Sequence, residues 1–265
     1  MIGICTDSNS QLPATLAQRY GIEVVPLTVT VDDIDYLEGV DLDADEFYAK
    51  YLDGACPTVS SSQPSPGQFA VAYEELAARG CTEILSIHVS SAVSGTISSA
   101  RLAAHSVPMP VRLVDSSTAS FGVSCCVWAA AAAIAEGASL EGASSIAEQL
   151  APTIGNVFVA GALDHLQGDE GLPVLSLHDG QVTAIQHAAT TLDAINSMAT
   201  YALRWGDRLR IAIGHSDAAT APLADALEEA VGEAAGVLEV VRYRIGSSVG
   251  AHTGPGTIGC FMFPV

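Results

Sequence analysis

Three short segments concentrate hydroxyl groups where a strand-like run gives way to a turn: Thr6-Asp7-Ser8, Ser60-Ser61-Ser62-Gln63-Pro64-Ser65 and Ser90-Ser91-Ala92-Val93-Ser94-Gly95-Thr96. Hydroxyls placed there, with the free N–H groups at the start of a following helix, make a cradle for an anion. Open α/β sheets bind their ligands at this end, beyond the carboxyl termini of the strands. Taken singly, each segment is better explained by ordinary capping and turn chemistry, in which Ser and Thr abound. A fourth segment, residues 246–256, is a Gly-rich turn carrying His252 and Thr253. Its glycines let backbone approach a ligand closely, which raises His252 above the ordinary structural histidine.

These residues admit two chemistries. In the first, hydroxyls and an imidazole hold an anion without reacting with it. In the second, Ser61 or Ser94 is a nucleophile, His252 its base, and Asp7 or Asp115 the orienting carboxylate, as in a Ser hydrolase or a phosphotransferase-like enzyme. A metal site from His88, His215 and His252 with Asp7 or Asp217 fits no ligand spacing. Residues 254–259 read G-x-G-x-x-G, but only six residues follow Gly259, too few for the helix and acidic residue of a dinucleotide site. There is no G-x-S-x-G, Walker A or H-E-x-x-H motif. No cofactor and no metal are expected.

The elements that must position these residues follow from size and patterning. At about 150 residues per domain, 265 residues make one large domain or two small ones, each able to bury a core. With 49% apolar and 15% charged residues, the chain is too apolar for disorder. Ten Lys+Arg against 30 Asp+Glu give a net charge of −20, which repels phosphate backbones and anionic bilayers. Nucleic acid and stable membrane insertion are therefore not expected. Lys50 is the only lysine, leaving little for Schiff-base or P-loop chemistry. The six cysteines, at 5, 56, 81, 125, 126 and 260, form no C-x-x-C pair and read as small buried hydrophobes in a reducing compartment. The N-terminus has no basic region of a signal peptide, and the apolar run 125–135 is too short to span a bilayer, so a cytoplasmic protein is expected.

Strand and helix patterns alternate, which favours a largely parallel α/β sheet. Strands are expected at 2–6, 24–31, 34–37, 83–89 and 111–115. Helices are expected at 13–20, 43–52, 66–78, from Ser94, at 120–136 and at 140–150. Ser65 caps the helix from Pro66, and Gly21, Gly54 and Gly80 stop theirs. Ala151-Pro152 marks a boundary between an N-terminal α/β domain, 1–151, with a small β-hairpin excursion near 24–40, and a C-terminal α/β domain, 152–265. Beyond it, strands are expected at 156–160, 174–177, 181–185, 209–215, 237–243 and 259–263, with helices at 191–204 and 221–232.

Taken in order, the motifs resemble those of the DegV family of fatty-acid-binding proteins, which includes fatty-acid kinase B subunits. Thr6-Asp7-Ser8 resembles its opening T-D-S. Ser61-Ser62-Gln63-Pro64-Ser65 resembles T-S-Q-P-S, with Ser for Thr at 61. Ser90 to Thr96 resembles S-S-x-L-S-G-T. Val114-Asp115-Ser116 resembles its V-x-D-S strand end, His215-Ser216-Asp217 its H-x-D/N element, and Gly250 to Gly256 its G-x-H-x-G-P-G. The resemblance covers essentially the whole chain. It implies two α/β domains, the first with a Rossmann-like sheet, and a buried acyl tunnel between them. By the same resemblance, Ser61, Ser94 and His252 bind the carboxylate of a long-chain fatty acid. Ser62, Gly95, Thr96 and Thr253 join them, supported by Thr6, Asp7, Ser8, Asp115 and Ser116. The resemblance implies a lipid carrier rather than an enzyme, presenting its ligand to a partner kinase in some members. Two departures stand out. After Ala162-Leu163-Asp164-His165-Leu166-Gln167, residues 168–171 run straight into Leu172-Pro173-Val174, without the family's G-G-R-I segment. A second family Arg is replaced within Gln186-His187-Ala188-Ala189-Thr190. Those arginines are the ones expected to serve a kinase.

Overall fold

The structure, a computed structural model, describes residues 1–161, 171–178 and 181–265. The segment that would carry the G-G-R-I departure, 162–170, lies outside the described residues. The chain forms two compact units, one from residues 1–42 and 58–152, the other from 43–57 and 153–265. The change of unit near Pro152 is where the Ala-Pro pair stands. Residues 43–57, read from sequence as part of the first domain, pack instead with the second unit.

The first unit is built on a parallel sheet in the order β2-β1-β6-β7, from Glu23–Val25, Ile2–Asp7, Glu83–His88 and Val111–Asp115. Helices α3 (Pro66–Ala78) and α4 (Thr96–Ala104) cover one face. There Phe69, Tyr73 and Leu76 close over Cys5, Ile84 and Ala100. Helices α5 (Phe121–Ala135) and α6 (Leu140–Leu150) also pack on this sheet. The near-continuous apolar strands 2–6 and 83–89 are what a sheet covered on both faces demands. Every residue of α5 from Phe121 to Trp128 is buried, so the apolar run is a core helix. Among the described residues no helix is long and apolar enough to cross a membrane.

The expected strand 24–31 is divided. Pro26, which has no N–H to donate to a ladder, ends β2, and the chain restarts as β3 (Thr28–Val31) in a second, antiparallel sheet of order β4-β3-β5. Here β4 is Ile34–Leu37 and β5 is Val59–Ser62. The serine run thus forms an edge strand as well as a turn. Periodicity could not reveal it, because Ser60-Ser61-Ser62 carries no apolar alternation.

The second unit holds a six-stranded mixed sheet in the order β10-β9-β8-β13-β11-β12. Its strands are Gln181–Ala188, Leu172–His178, Gly155–Val159, Ile258–Pro264, Leu209–His215 and Val237–Arg244. Helices α7 (Thr191–Leu203) and α8 (Ala221–Gly232) bury Met198, Ala202, Leu227 and Val231 against it. The short α2 (Ala44–Ala49) begins with a capping box, Asp43 Oδ1 accepting from Glu46 N and Glu46 Oε2 from Asp43 N. Two contacts seat it in this unit. Arg244 donates to Asp45 Oδ1 at 2.8 Å, and Phe47 and Tyr48 press on Gly250, where a Cβ would stand 2.5 Å from the Tyr48 hydroxyl oxygen.

The cysteines follow the expectation except at Cys56, which is exposed. The buried thiols are far from ionising: burial pushes Cys126 and Cys260 up to about 12 and Cys5 higher still.

Candidate functional site

In the first unit the chain leaves β1 for β2 on one side and later adds β6 and β7 on the other, so the strand order reverses between β1 and β6. Ligands of open α/β sheets bind at such a point, at the carboxyl ends. The strands ending there finish on Asp7, His88 and Asp115, and three of the predicted segments leave from these ends.

The carboxylates at these ends hold backbone. Asp7 Oδ1 accepts from Asn9 N at 3.1 Å, and its Oδ2 accepts from Val89 N at 3.1 Å. Asp115 accepts from Ser91 N and, at 2.9 Å, from Ser117 N. Ser90 N donates to Thr118 O and Ser116 N to His88 O. Ser117 and Ser120 adopt positive φ, a conformation that side chains other than Gly rarely take, held here by Asp115 and by Asn9 Oδ1, which accepts from Ser120 N. The hydroxyl turn 90–96 is therefore fixed from two strand ends at once.

At the tip of that turn Ser94 Oγ and Thr96 Oγ1 stand 2.8 Å apart, and Thr96 N donates to Ser94 Oγ. Gly95 is the N-cap of α4, whose first turn has no other side-chain cap. Gln63 lies against Gly95, its Nε2 2.9 Å from where a Cβ would be, so the second and third hydroxyl segments come together. Ser61 and Ser62, exposed on β5, pair with Val29 and Thr28 of β3. Ser65 closes a capping box with Gln68 at the start of α3. Around the start of α4 this places the Ser94 and Thr96 hydroxyls and the Gln63 carboxamide, groups able to donate hydrogen bonds to an anion.

The other predicted residues of this unit face inward. Thr6 is wholly buried on β1. Ser8 Oγ donates to Glu38 Oε2 at 2.5 Å and accepts from Leu27 N, tying the antiparallel sheet down. Ser116 is buried, with Oγ toward Thr118 O. Asp7 is 0% exposed, and the imidazole it holds is that of His88. Among the described residues no group of three or more His, Cys, Asp or Glu could hold a metal.

His252 and Thr253 belong to the second unit. The Gly-rich segment, read from sequence as a turn, contains a short helix, α9 (Ser247–Thr253), with exposed His252 in its last turn. Gly254 and Gly256, both at positive φ, reverse the chain after it. Sequence reading weighed His215 and Asp217 only as metal ligands and matched His215-Ser216-Asp217 to a family element; in the structure this segment clasps the reversal. Asp217 Oδ2 accepts from Gly256 N at 2.6 Å and Ser216 Oγ accepts from Thr257 N at 2.9 Å. His215, half-buried and flanked by Arg244 and Arg242, has its pKa lowered to about 4, by burial first and by the two guanidiniums next. A groove of about 620 Å³ lies elsewhere in this unit, with His187, Asn196, Tyr201 and Arg204 in its mainly polar lining, and holds none of the predicted residues.

The chain as a whole has known relatives. A DegV domain-containing protein of Streptomyces coelicolor is 33% identical over 97% of this chain and 96% of its own. A structure from Thermus thermophilus, described as the fatty acid binding of a DegV family protein, is 32% identical with a TM-score of 0.84, covering 100% of this chain and 99% of that one. Another, described as DegV, a fatty acid binding protein from Bacillus subtilis, is 26% identical with a TM-score of 0.80 over the same shares. The family described as "Uncharacterised protein, DegV family" matches residues 1–168 and 172–265, and the chain belongs to it.

Proposed function

We propose that the protein binds a long-chain fatty acid and carries it without turning it over. The acyl chain occupies a buried apolar tunnel, and Ser61, Ser94 and His252 hold the carboxylate. What chiefly supports this reading is the likeness over the whole chain, at 32% identity, to a protein described as binding fatty acid. The hydroxyl row at the reversal of the parallel sheet fits it.

The energetics agree. At about 0.8 kcal/mol per buried CH₂, a 16-carbon chain contributes roughly 11 kcal/mol before association and ordering costs. The carboxylate, once out of water, needs compensating donors, and two hydroxyls with an imidazole supply them. No activated nucleophile is needed. Hand-off to a partner kinase would be a further step, for which residues 113–203, with no Lys or Arg, offer no cation.

Native mass spectrometry of freshly purified protein, with extraction and identification of released lipid, tests the proposal. A fatty acid at about one per chain is expected. A bare chain that also fails to take up added palmitate or oleate overturns it.

A further inference from the structure

One buried feature of the first unit is used by none of the chemistry above. Tyr73 of α3, Ser86 and His88 of β6, and Asp7 of β1 form a string of polar side chains under the switch point. The Tyr73 hydroxyl is 2.9 Å from Ser86 Oγ, Ser86 Oγ is 2.6 Å from His88 Nε2, and His88 Nδ1 is 2.9 Å from Asp7 Oδ2. All four residues are 0% exposed, and the His88 ring meets Phe69 edge to face. One polarity satisfies every group with a neutral imidazole: Tyr73 donates to Ser86, Ser86 to Nε2, and Nδ1–H to the Asp7 carboxylate.

This string resembles a Ser-His-Asp triad in order, yet Ser86 is sealed from any substrate. It is also a poor way to fill a core, because buried polar networks rarely add stability over apolar packing of the same volume. Its value lies at its end. The Asp7 oxygen that receives His88 Nδ1 also receives Val89 N, the first amide beyond β6. From there the chain turns through Ser90 to Ser94 and Thr96. Serine-protease triads use a carboxylate in this way to fix an imidazole; here the imidazole and carboxylate together fix a backbone.

We infer that His88 and Asp7 are positioning residues for the fatty-acid carboxylate. They act through Val89 to place the Ser94 and Thr96 hydroxyls, and Ser86 and Tyr73 hold the imidazole in register. This rests on the fatty-acid reading above. It accounts for two ionisable residues at the centre of a sheet whose other covered positions are mostly apolar.

The test compares palmitate with 1-hexadecanol, which has the same chain and no carboxylate, by displacement of a fluorescent fatty acid. The variants are Ser86→Ala and Asp7→Asn. A loosened turn weakens bonds to the carboxylate only. Palmitate affinity is therefore expected to fall about tenfold or more, while hexadecanol affinity changes less than about threefold. A general loss of packing would lower both alike, and parallel losses overturn the inference. So does unchanged preference for the acid in Ser86→Ala, which deletes one small side-chain hydroxyl and decides the matter if Asp7→Asn does not fold. A wild-type protein with no preference for palmitate over hexadecanol overturns the fatty-acid reading instead.

Discussion

Gln63 and Gly95 lie in contact: a Cβ on Gly95 would stand 2.9 Å from Gln63 Nε2 and 3.1 Å from its Cδ. The two residues come from segments separated by helix α3 and strand β6. Their contact joins the serine edge strand β5 to the helix start at α4.

Gly95→Ala therefore tests the geometry without testing the fold. Gly95 has φ −80°, which any residue adopts, and what the new methyl meets is the far end of an exposed side chain. Stability should change by less than about 1 kcal/mol, a shift of a few degrees in Tm for a chain of this size. Fatty-acid affinity should nevertheless fall severalfold, because Gln63 must leave its place beside the hydroxyl turn. A binding isotherm superimposable on wild type would remove Gln63 and Gly95 from the site.

His252→Ala combined with Ser94→Ala should abolish co-purified lipid in a protein that still unfolds cooperatively. His252 is exposed and Ser94 half-buried, so neither truncation opens a core cavity, and each should cost about 0.5 kcal/mol or less. Lipid occupancy is read by extraction and mass spectrometry, and folding by a thermal melt. Undiminished lipid in the double mutant would sink the assignment of the head-group residues.

His215 offers a test by pH. Its folded pKa, near 4, lies below the ordinary 6.5. The unfolded chain thus takes up a proton between these values that the folded chain refuses, and stability falls as the pH drops from about 6.5 toward 4. Above that window both states are neutral at this residue and it makes no difference. Asp45, held below the usual carboxylate range by its bond to Arg244, contributes in the same direction at lower pH. In an NMR titration His215 should remain neutral to about pH 4, and Arg244→Gln should raise its midpoint. A midpoint near 6.5 in the wild type would contradict the clustering of Arg242 and Arg244 around it.

Much of the architecture was legible in the residues, and the reason is local. The capping boxes at Asp43–Glu46 and Ser65–Gln68 each close within four residues. The helix 221–232 and the strand 209–215 stand where periodicity places them. Elements failed to read where a single residue or a distant partner decided them. Pro26 cut one expected strand into two strands of different sheets. The serine strand β5 exists only because β3 lies beside it. The helix carrying His252 is a seven-residue segment with a glycine at its centre and one flanking each end, too weak in propensity to announce itself.

The sequence by itself determined the order of the hydroxyl motifs, the alternation of strand and helix, and the family to which that order points. Those features depend on residue type and on spacing along the chain, and they survive without knowledge of the fold. Tertiary structure alone decided what the Asp7 and Asp217 carboxylates hold. Asp7 and His88 are 81 residues apart, and Asp217 and Gly256 are 39 apart. Only the strand order of each sheet brings such pairs within hydrogen-bonding distance. The assignment of residues 43–57 to the second unit is of the same kind. It turns on the fit of Phe47 and Tyr48 against a bare Gly250 and on one Arg244–Asp45 bond, contacts that nothing in the local sequence specifies.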